Sequence, residues 1–511
     1  MRQSVMSCLV LLLLAGAVHA AQRPNVVVIV ADDLGYADLS FLAQAPADVK
    51  HYGTPNLDKL AESGTYFTDA YATAPICSPS RCGLITGRYQ QRWGNYWYGE
   101  GGLPRDETTL AQALKALGYA TKKIGKTHLN GGPVEYPLDH GFDEFLGFMH
   151  HTWDYIRLSQ KDVDAYRAKG VKNFGCQVIG PLLRGKDREP VSYENAFSTE
   201  VFTDEAIEYV TRERGDQPFF LELEYNAVHA PTYVVPQHYA EKVGMPYVPF
   251  NRQAEKWRFP YWEPTDEPHT RFHKRWGHLG AVDPHGRKAY LAQLIALDDN
   301  IGRLLKALGK AGLRDNTLVI FLSDNGGTIN MYANNTPLRG YKYMFGEGGI
   351  RIPMIMSWPK RLPVARCSSA LVSAMDVYPT VMSLVGGPVA PNLDGKSLVP
   401  LLKGRGQQQH ETLCWSNGRD KWVIRHGDWK LCNNAGWDHA AFKIANGVCV
   451  PTENDVYPMG TLLFNLKQDI GEMQDLSQKY PEKVKELAQR YHAWRSQMSD
   501  PRTGDGKLKK K

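Results

Sequence analysis

The run NVVVIVADDLGY, residues 25–36, constrains the fold of this chain more than any other stretch. Its consecutive β-branched residues, Val26 to Val30, offer no polar face, so they suit neither an amphipathic helix nor a strand with one wet side. Such a run fits a strand covered on both faces, the environment of a parallel sheet wrapped by helices. It ends in a polar turn, Asp32 and Asp33 followed by Leu34 and Gly35.

The pattern recurs. TTLAQALKALGYATKKIGKTHL predicts an amphipathic helix stopped at Gly118, then a short strand and the polar turn GKTH. QPFFLELEYNAVHAP predicts another strand ending in a polar turn. In RKAYLAQLIALDDNIGRLLKALGKAGL, Leu291, Leu294, Ile301, Leu305 and Leu308 form one helix face, and the strand and turn NTLVIFLSDNGG follow. Strands and helices alternate, so the expected class is α/β. Between Ala230 and Arg287 lies an insertion dense in aromatic, basic and proline residues, with no expectation of regular structure. From about residue 396 short alternating strands (KWVIRHGDWKLC, TLLFNLKQDIGE) precede a last helix, PEKVKELAQRYHAWRSQM. The expected partition is a signal peptide over 1–20, a main domain over 21–395 and a smaller C-terminal subdomain over 396–511, with an antiparallel sheet and a helix.

Arg2, the apolar run from about Cys8 to Val18 and the small residues Val18 and Ala20 have the form of a cleavable export signal, too short to span a bilayer. The expected product is exported, periplasmic or extracellular in a bacterium, with no stable membrane insertion. Loss of residues 1–20 removes one arginine and takes the net charge from +6 to +5, of which four charges sit in the tail KLKKK. A nearly neutral body excludes a general attraction to nucleic acid. The eight cysteines are residues 8, 77, 82, 176, 367, 414, 432 and 449. Seven outlast the signal, an odd number, with Cys77 the candidate odd one and Cys432 with Cys449 a plausible bridge.

In an open α/β sheet, ligands bind beyond the carboxyl ends of the strands. Three apolar runs here stop at Asp32 and Asp33, at His229, and at Asp324 and Asn325. Side by side, these would give three carboxylates and an amide oxygen, an all-oxygen set for a hard cation such as Ca²⁺ or Mg²⁺. Without a cation, the carboxylates would repel one another and their pKa values would rise. Asp, Asn and Gly also favour turns for backbone reasons alone. Lys126 and His128 in GKTH, His229 in VHAP and Lys342 in PLRGYK add positive charge and proton donors for an oxyanion and its leaving oxygen. In ICSPSR, Cys77 fits a metal ligand, a disulfide partner, a nucleophile or a packing residue. Pro79 places a helix start here, whose backbone amides favour an anion, and Arg81 lies one turn on. No second cysteine pair has zinc spacing.

The stretch CSPSRCGLITG resembles the sulfatase signature, in which Cys or Ser, any residue, Pro, any residue and Arg lead to Thr-Gly. The likeness extends through NVVVIVADDLGY, GTPNLDKLAESGTYFTDAYA, GYATKKIGKTHL, HGFDEFLGF, LSDNGG, PLRGYKYMFGEGGIRIPMI and LFNLKQDIGEMQDL, most of residues 24–480. This resemblance to type I sulfatases implies an alkaline phosphatase-like fold, with a large mixed sheet between helices and a smaller C-terminal α+β subdomain. It implies that a formylglycine-generating enzyme converts Cys77 to formylglycine, whose hydrate attacks the sulfur of a sulfate ester with one hydroxyl and expels sulfate through the other. It further implies Asp32, Asp33, Asp324 and Asn325, with the modified Cys77, around a divalent cation, usually calcium. Arg81 and Lys126 would orient the aldehyde hydrate, His128 would assist proton removal, and His229 with Lys342 would serve the leaving oxygen. Thr127 departs from the tryptophan common at its position, which touches local packing or the substrate pocket.

The expected substrate is a sulfated polysaccharide fragment, such as an algal galactan or a glycosaminoglycan. His151 and Asp154 in MHHTWDY are candidates for sugar hydroxyls, and Trp257, Tyr261, Trp262 and Trp276 for sugar rings. The alternatives are a phosphonate or phosphate ester hydrolase of the same superfamily and a noncatalytic secreted carbohydrate-binding protein.

Overall fold

A computed structural model of the chain describes residues 23–129, 135–149, 182–191, 196–230, 234–246, 285–328, 331–405, 409–435 and 459–502, some single residues between them, and the backbone of 440–445 and 448–456. The strands of the large sheet are β1 (Asn25–Ala31), β2 (Thr65–Tyr71), β3 (Ala120–Lys126), β4 (Glu144–Phe148), β5 (Leu182–Arg184), β6 (Glu189–Val191), β7 (Phe219–Glu224), β8 (Thr317–Ser323), β9 (Arg351–Ser357), β10 (Arg366–Ser368) and β11 (Val372–Ser373). Their order is β10-β2-β9-β8-β1-β7-β3-β4-β5-β6, with β11 beside β2. The middle four, β8, β1, β7 and β3, are parallel, and β9 and β5 run antiparallel to their inner neighbours. The class is therefore α/β with a large mixed sheet between helices, as expected.

The helices that matter for the site are α1 (Pro55–Glu62), α2 (Cys77–Thr86), α3 (Leu110–Lys115), α4 (Ser198–Thr211), α5 (Gly286–Lys310), α6 (Val377–Val385) and α7 (Pro481–Arg495). Every residue of β1 is buried, and the alternation of side chains sends its two faces to two cores. Val27, Ile29 and Ala31 meet α1, α4 and α5; Val26, Val28 and Val30 meet α2, α3 and α6. On α5 the expected apolar face is present, with Leu304 fully buried and Leu305 only partly so. The helix expected to run to Gly118 ends at Lys115; its start is fixed by Thr109, which accepts from the Gln112 amide at 3.1 Å while Gln112 accepts from the Thr109 amide at 2.8 Å. Contrary to expectation, the 230–287 stretch contains a short helix, Gln237–Lys242. No helix among the described residues is long and apolar enough to cross a membrane. Residues 1–20 and the insertion aromatics Trp257, Tyr261, Trp262 and Trp276 lie outside the described residues.

A second, antiparallel sheet pairs β12 (Thr412–Ser416), β13 (Trp422–His426), β14 (Trp429–Asn433) and β17 (Thr461–Asn465) in that order, and α7 covers one face. A hairpin of β15 (Ala440–Ala445) and β16 (Val448–Val456) projects between β14 and β17 in sequence. The small sheet is joined to the large one by a buried ionic cluster. Lys430 on β14 reaches Glu347 at 2.9 Å and Glu472 at 2.7 Å, and the Glu347 amide donates to Glu472 at 2.7 Å. Arg425 on β13 pairs with Asp69 on β2 at 3.0 Å. Burial alone would favour a neutral Lys430, but the two carboxylates hold its pKa above the ordinary lysine value.

Lys430→Met is expected to remove the cation shared by two buried carboxylates, leaving Glu347 with Arg351 alone, and to lower the unfolding free energy by about 3–5 kcal/mol. Urea denaturation checks this, with the exposed pair partner Glu486→Gln expected to change stability by less than about 1 kcal/mol.

Candidate active site

The parallel register decides which strand ends meet. Ala31 of β1 stands opposite Ser323 of β8, Val30 opposite Glu224 of β7, and Gly125 of β3 opposite Glu224. The residues that follow, Asp32 and Asp33, Asp324 and Asn325, Tyr225 to His229, and Lys126 to His128, therefore emerge side by side. Gly125 has φ +96°, and a Cβ there would sit 2.0 Å from the Glu224 carbonyl oxygen, so only glycine lets β3 approach β7 this closely.

The three carboxylates are dry and matched by cations. Lys126 Nζ lies 2.5 Å from Asp32, and Lys342 Nζ lies 2.8 Å from Asp33. Arg81 donates from Nη2 to Asp324 at 2.8 Å and from Nε at 3.1 Å, and it also pairs with Glu224. Asn325 Nδ2 and Thr328 Oγ1 each donate to Asp33 at 2.7 Å, and His229 Nε2 is 3.5 Å from it. Burial pushes the Asp32 carboxyl up to about 7, aided by Asp324 and opposed by Lys126 and Arg81. Asp33 departs from the expected rise. Burial raises it, but Lys342, His229 and Lys126 outweigh burial and hold it well below the usual carboxylate range.

Helix α2 begins at Cys77 itself, with Pro79 third in the helix rather than at its start, and Ile76 supplies no side-chain cap. Ser80 Oγ ties the helix to the Asp324 carbonyl at 2.6 Å. Cys77 is an unpaired, buried thiol, and burial raises its pKa despite Lys126 and Lys342, which disfavours a working thiolate. Cys82 is likewise unpaired and packed, accepting from Asn95 at 3.4 Å, so the two do not bridge. Cys432 is buried on β14, whereas the side chain of Cys449, its expected partner, lies outside the described residues.

Two donor atoms fit a cation. Asp32 Oδ1 and Asn325 Oδ1 are buried and accept no hydrogen bond. One oxygen each from Asp32 and Asp324 and the Cys77 sulfur lie within 4.8 Å of one another, as do ligand atoms of Asp32, Asp33 and His229. Orphaned oxygens in a carboxylate cluster suit a hard divalent ion.

The structure thus brings together Asp32, Asp33, Cys77, Arg81, Lys126, His229, Asp324, Asn325 and Lys342. His128 follows Lys126 and Thr127, buried and at φ +48°, a conformation uncommon for residues other than glycine. Thr127 is buried too, its amide donating to the Phe148 carbonyl at 2.9 Å. His151 and Asp154 lie outside the described residues. Sequence reasoning missed a buried ionic chain beneath the site. Glu224 links Arg81 to Lys123, 2.8 Å away, and Lys123 also pairs with Glu222. Alternate glutamates in FFLELE and adjacent lysines in ATKKIGK carried that signal, since charges inside apolar strands must be paired.

The sulfatase family profile matches residues 24–387. The chain is 30% identical to the N-acetylgalactosamine-6-sulfatase of Canis lupus familiaris over 90% of its own length and 83% of that protein. It is 31% identical to human arylsulfatase A, covering 91% and 86%. The solved structure of Ps i-CgsB in complex with k-i-k-neocarrahexaose aligns with a TM-score of 0.73 and 30% identity, over 94% of each chain. A phosphonate monoester hydrolase of Agrobacterium radiobacter, at 20% identity and a TM-score of 0.61, shares the fold. The chain belongs to the sulfatase family, whose enzymes hydrolyse sulfate esters.

Glu224→Gln is expected to strip Arg81 and Lys123 of a buried countercharge and to destabilise the protein by about 3–5 kcal/mol. A guanidinium unfolding curve measures it; a change under about 1 kcal/mol would mean that Glu222 and Asp324 suffice for both cations.

Proposed function

We propose that this sulfatase acts on a sulfated carbohydrate at the strand-end site, with Cys77 as nucleophile after conversion to formylglycine by a formylglycine-generating enzyme. Asp32, Asp33, Asp324 and Asn325, with the modified Cys77, would hold Ca²⁺, or Mg²⁺ in its place. The observation that carries the reading is the convergence on one buried thiol of Asp32 and Asp324, with Asp33 beside Asp32 and the cations Arg81, Lys126 and Lys342 among them. The cation would supply fixed positive charge for a sulfate oxygen, and the aldehyde hydrate would supply two hydroxyls on one carbon, which neither a thiol nor a serine can.

The chain's own groups support the remaining chemistry. Arg81 is immobilised by Asp324 and Glu224, and Lys126 by Asp32, so their charge is already oriented when an anion enters. The Ala230 carbonyl, 3.1 Å from His229 Nδ1, can only accept, which leaves Nε2 directed at Asp33. Burial and the charges of Lys342 and Lys126 push the His229 pKa well below its ordinary value, so the resting ring is neutral with its proton on Nδ1, and Nε2 must first gain a proton, which it would then pass readily to a leaving oxygen. Lys342, held charged by Asp33, would stabilise that oxygen, and His128 would assist proton removal from the second hydroxyl. His151 and Asp154 are assigned to sugar hydroxyls. In this reading residues 21–395 carry the chemistry, 396–511 form the supporting subdomain, and 1–20 direct export. A carbohydrate substrate is supported by the N-acetylgalactosamine-6-sulfatase relatives and the neocarrahexaose complex of Ps i-CgsB.

Mass spectrometry of the peptide containing Cys77, from protein made in its native host, should find formylglycine; an unmodified thiol there would refute the mechanism. Cys77→Ala is expected to lower kcat on the order of 10³-fold or more. Chelation by EDTA should abolish sulfate release and readdition of Ca²⁺ restore it. Sulfate release is measured over ι-carrageenan and chondroitin 6-sulfate oligosaccharides and 4-nitrophenyl sulfate; faster hydrolysis of 4-nitrophenyl phosphate than of 4-nitrophenyl sulfate would favour the phosphate-ester alternative.

A further inference from the structure

The geometry points to an aromatic platform at the mouth of the site, made by Trp97, Tyr98 and Tyr343, on which pyranose rings of the substrate stack. This rests on the carbohydrate reading above. Cys77 is 2% exposed, so a substrate must enter past whatever half-buried groups close over it. The apolar cluster of Ala74, Ile76 and Cys77 is closed by two such groups, Trp97 and Tyr343. Their ring centroids are 6.2 Å apart and their planes are inclined at 40°.

Tyr343 is held from both sides of the site. Its amide donates at 2.7 Å to the carbonyl of Pro75, two residues before Cys77. Its neighbour Lys342 grips Asp33, with Nζ 5.5 Å from the Tyr343 ring centre. Its φ of +78° is unfavourable for a bulky residue, a strain that the surrounding contacts must sustain. Tyr98 follows Trp97 directly in the chain and, unlike its half-buried neighbour, is 59% exposed. An exposed tyrosine next to Trp97, which itself packs on the Cys77 cluster, has an apolar face to offer and a hydroxyl at its rim.

The charges set the depth. A sulfate group seated among Arg81, Lys126 and Lys342 places the sugar carrying it outward, at the level of Trp97 and Tyr343. Pyranose rings present a face of C–H groups, which pack on an aromatic face while the hydroxyls stay at the edge. Trp97 and Tyr343 then face the ring that carries the sulfate, and Tyr98, further out, faces the next ring. This makes Tyr98 a specificity-determining residue that separates oligosaccharides from small sulfate esters.

The test compares the wild-type holoenzyme with Tyr98→Ala and Tyr98→Phe, measuring kcat and KM on the sulfated oligosaccharide that the wild type hydrolyses best and on 4-nitrophenyl sulfate. The side chain is exposed, so the thermal midpoint serves as the check that the variants fold. The ratio of kcat/KM for the oligosaccharide to that for 4-nitrophenyl sulfate is expected to fall about tenfold in Tyr98→Ala, through KM, and to be retained in Tyr98→Phe. An unchanged ratio in Tyr98→Ala, with the oligosaccharide still hydrolysed by the wild type, overturns the platform and leaves the carbohydrate reading standing. Wild-type release of sulfate from 4-nitrophenyl sulfate and from no saccharide overturns the carbohydrate reading, and the platform with it.

Discussion

Three carboxylates out of reach of water at the ends of neighbouring strands are tolerable only if positive charge arrives with them, and the rest of the molecule is arranged around that demand. Asp32 and Asp33 come from β1 and Asp324 from β8, because the parallel register sets Ala31 opposite Ser323. Their partners come from elsewhere: Lys126 from the end of β3, Arg81 from α2 and Lys342 from the loop before β9. Each partner lies far from its carboxylate in sequence, so the site exists only when the sheet, the helix and the loop are all in place. Arg81 is shared with Glu224, which extends the balance inward to Lys123 and Glu222.

The same logic reaches the small sheet. The loop that carries Lys342 and Tyr343 is closed by the Gly348 amide donating to the Arg339 carbonyl at 2.7 Å, and Arg339 donates in turn to the Glu472 carbonyl at 2.7 Å. Glu472 also accepts from the Glu347 amide and pairs with Lys430. The position of a cation in the site is thereby coupled to the packing of the C-terminal sheet, a physical reason for the small sheet to accompany the large one. Within the site the two adjacent aspartates diverge. Asp32 is pushed up by burial and Asp33 is held down by Lys342 and His229 despite burial. Adjacent residues in one turn project differently, and the cations that each meets decide its charge.

Much of this was legible in residues 25–36, 217–231 and 316–327, because a β-branched run that ends in polar residues is both a buried strand and a candidate ligand end. Cys77, Arg81, Lys126, His229 and Lys342 were identified through signature residues and their resemblance to sulfatases, and the fold gathers them around the aspartates. The buried chain of Glu222, Lys123 and Glu224 escaped notice because lysines and glutamates are most often on the surface, and only the pairing of β3 with β7 turns them toward each other. Trp97 escaped for a different reason: no periodicity marks a loop aromatic as packing against a residue twenty positions earlier.

What the sequence by itself determined is the class of the sheet and the chemistry available at its strand ends, since local residue choice governs burial, turns and donor type. What only the tertiary structure decided is which charges neutralise which, how far each pKa moves, and which aromatic rings stand over Cys77. Those depend on strand order and loop placement, which bring together residues hundreds of positions apart and set the distances on which electrostatics and stacking depend.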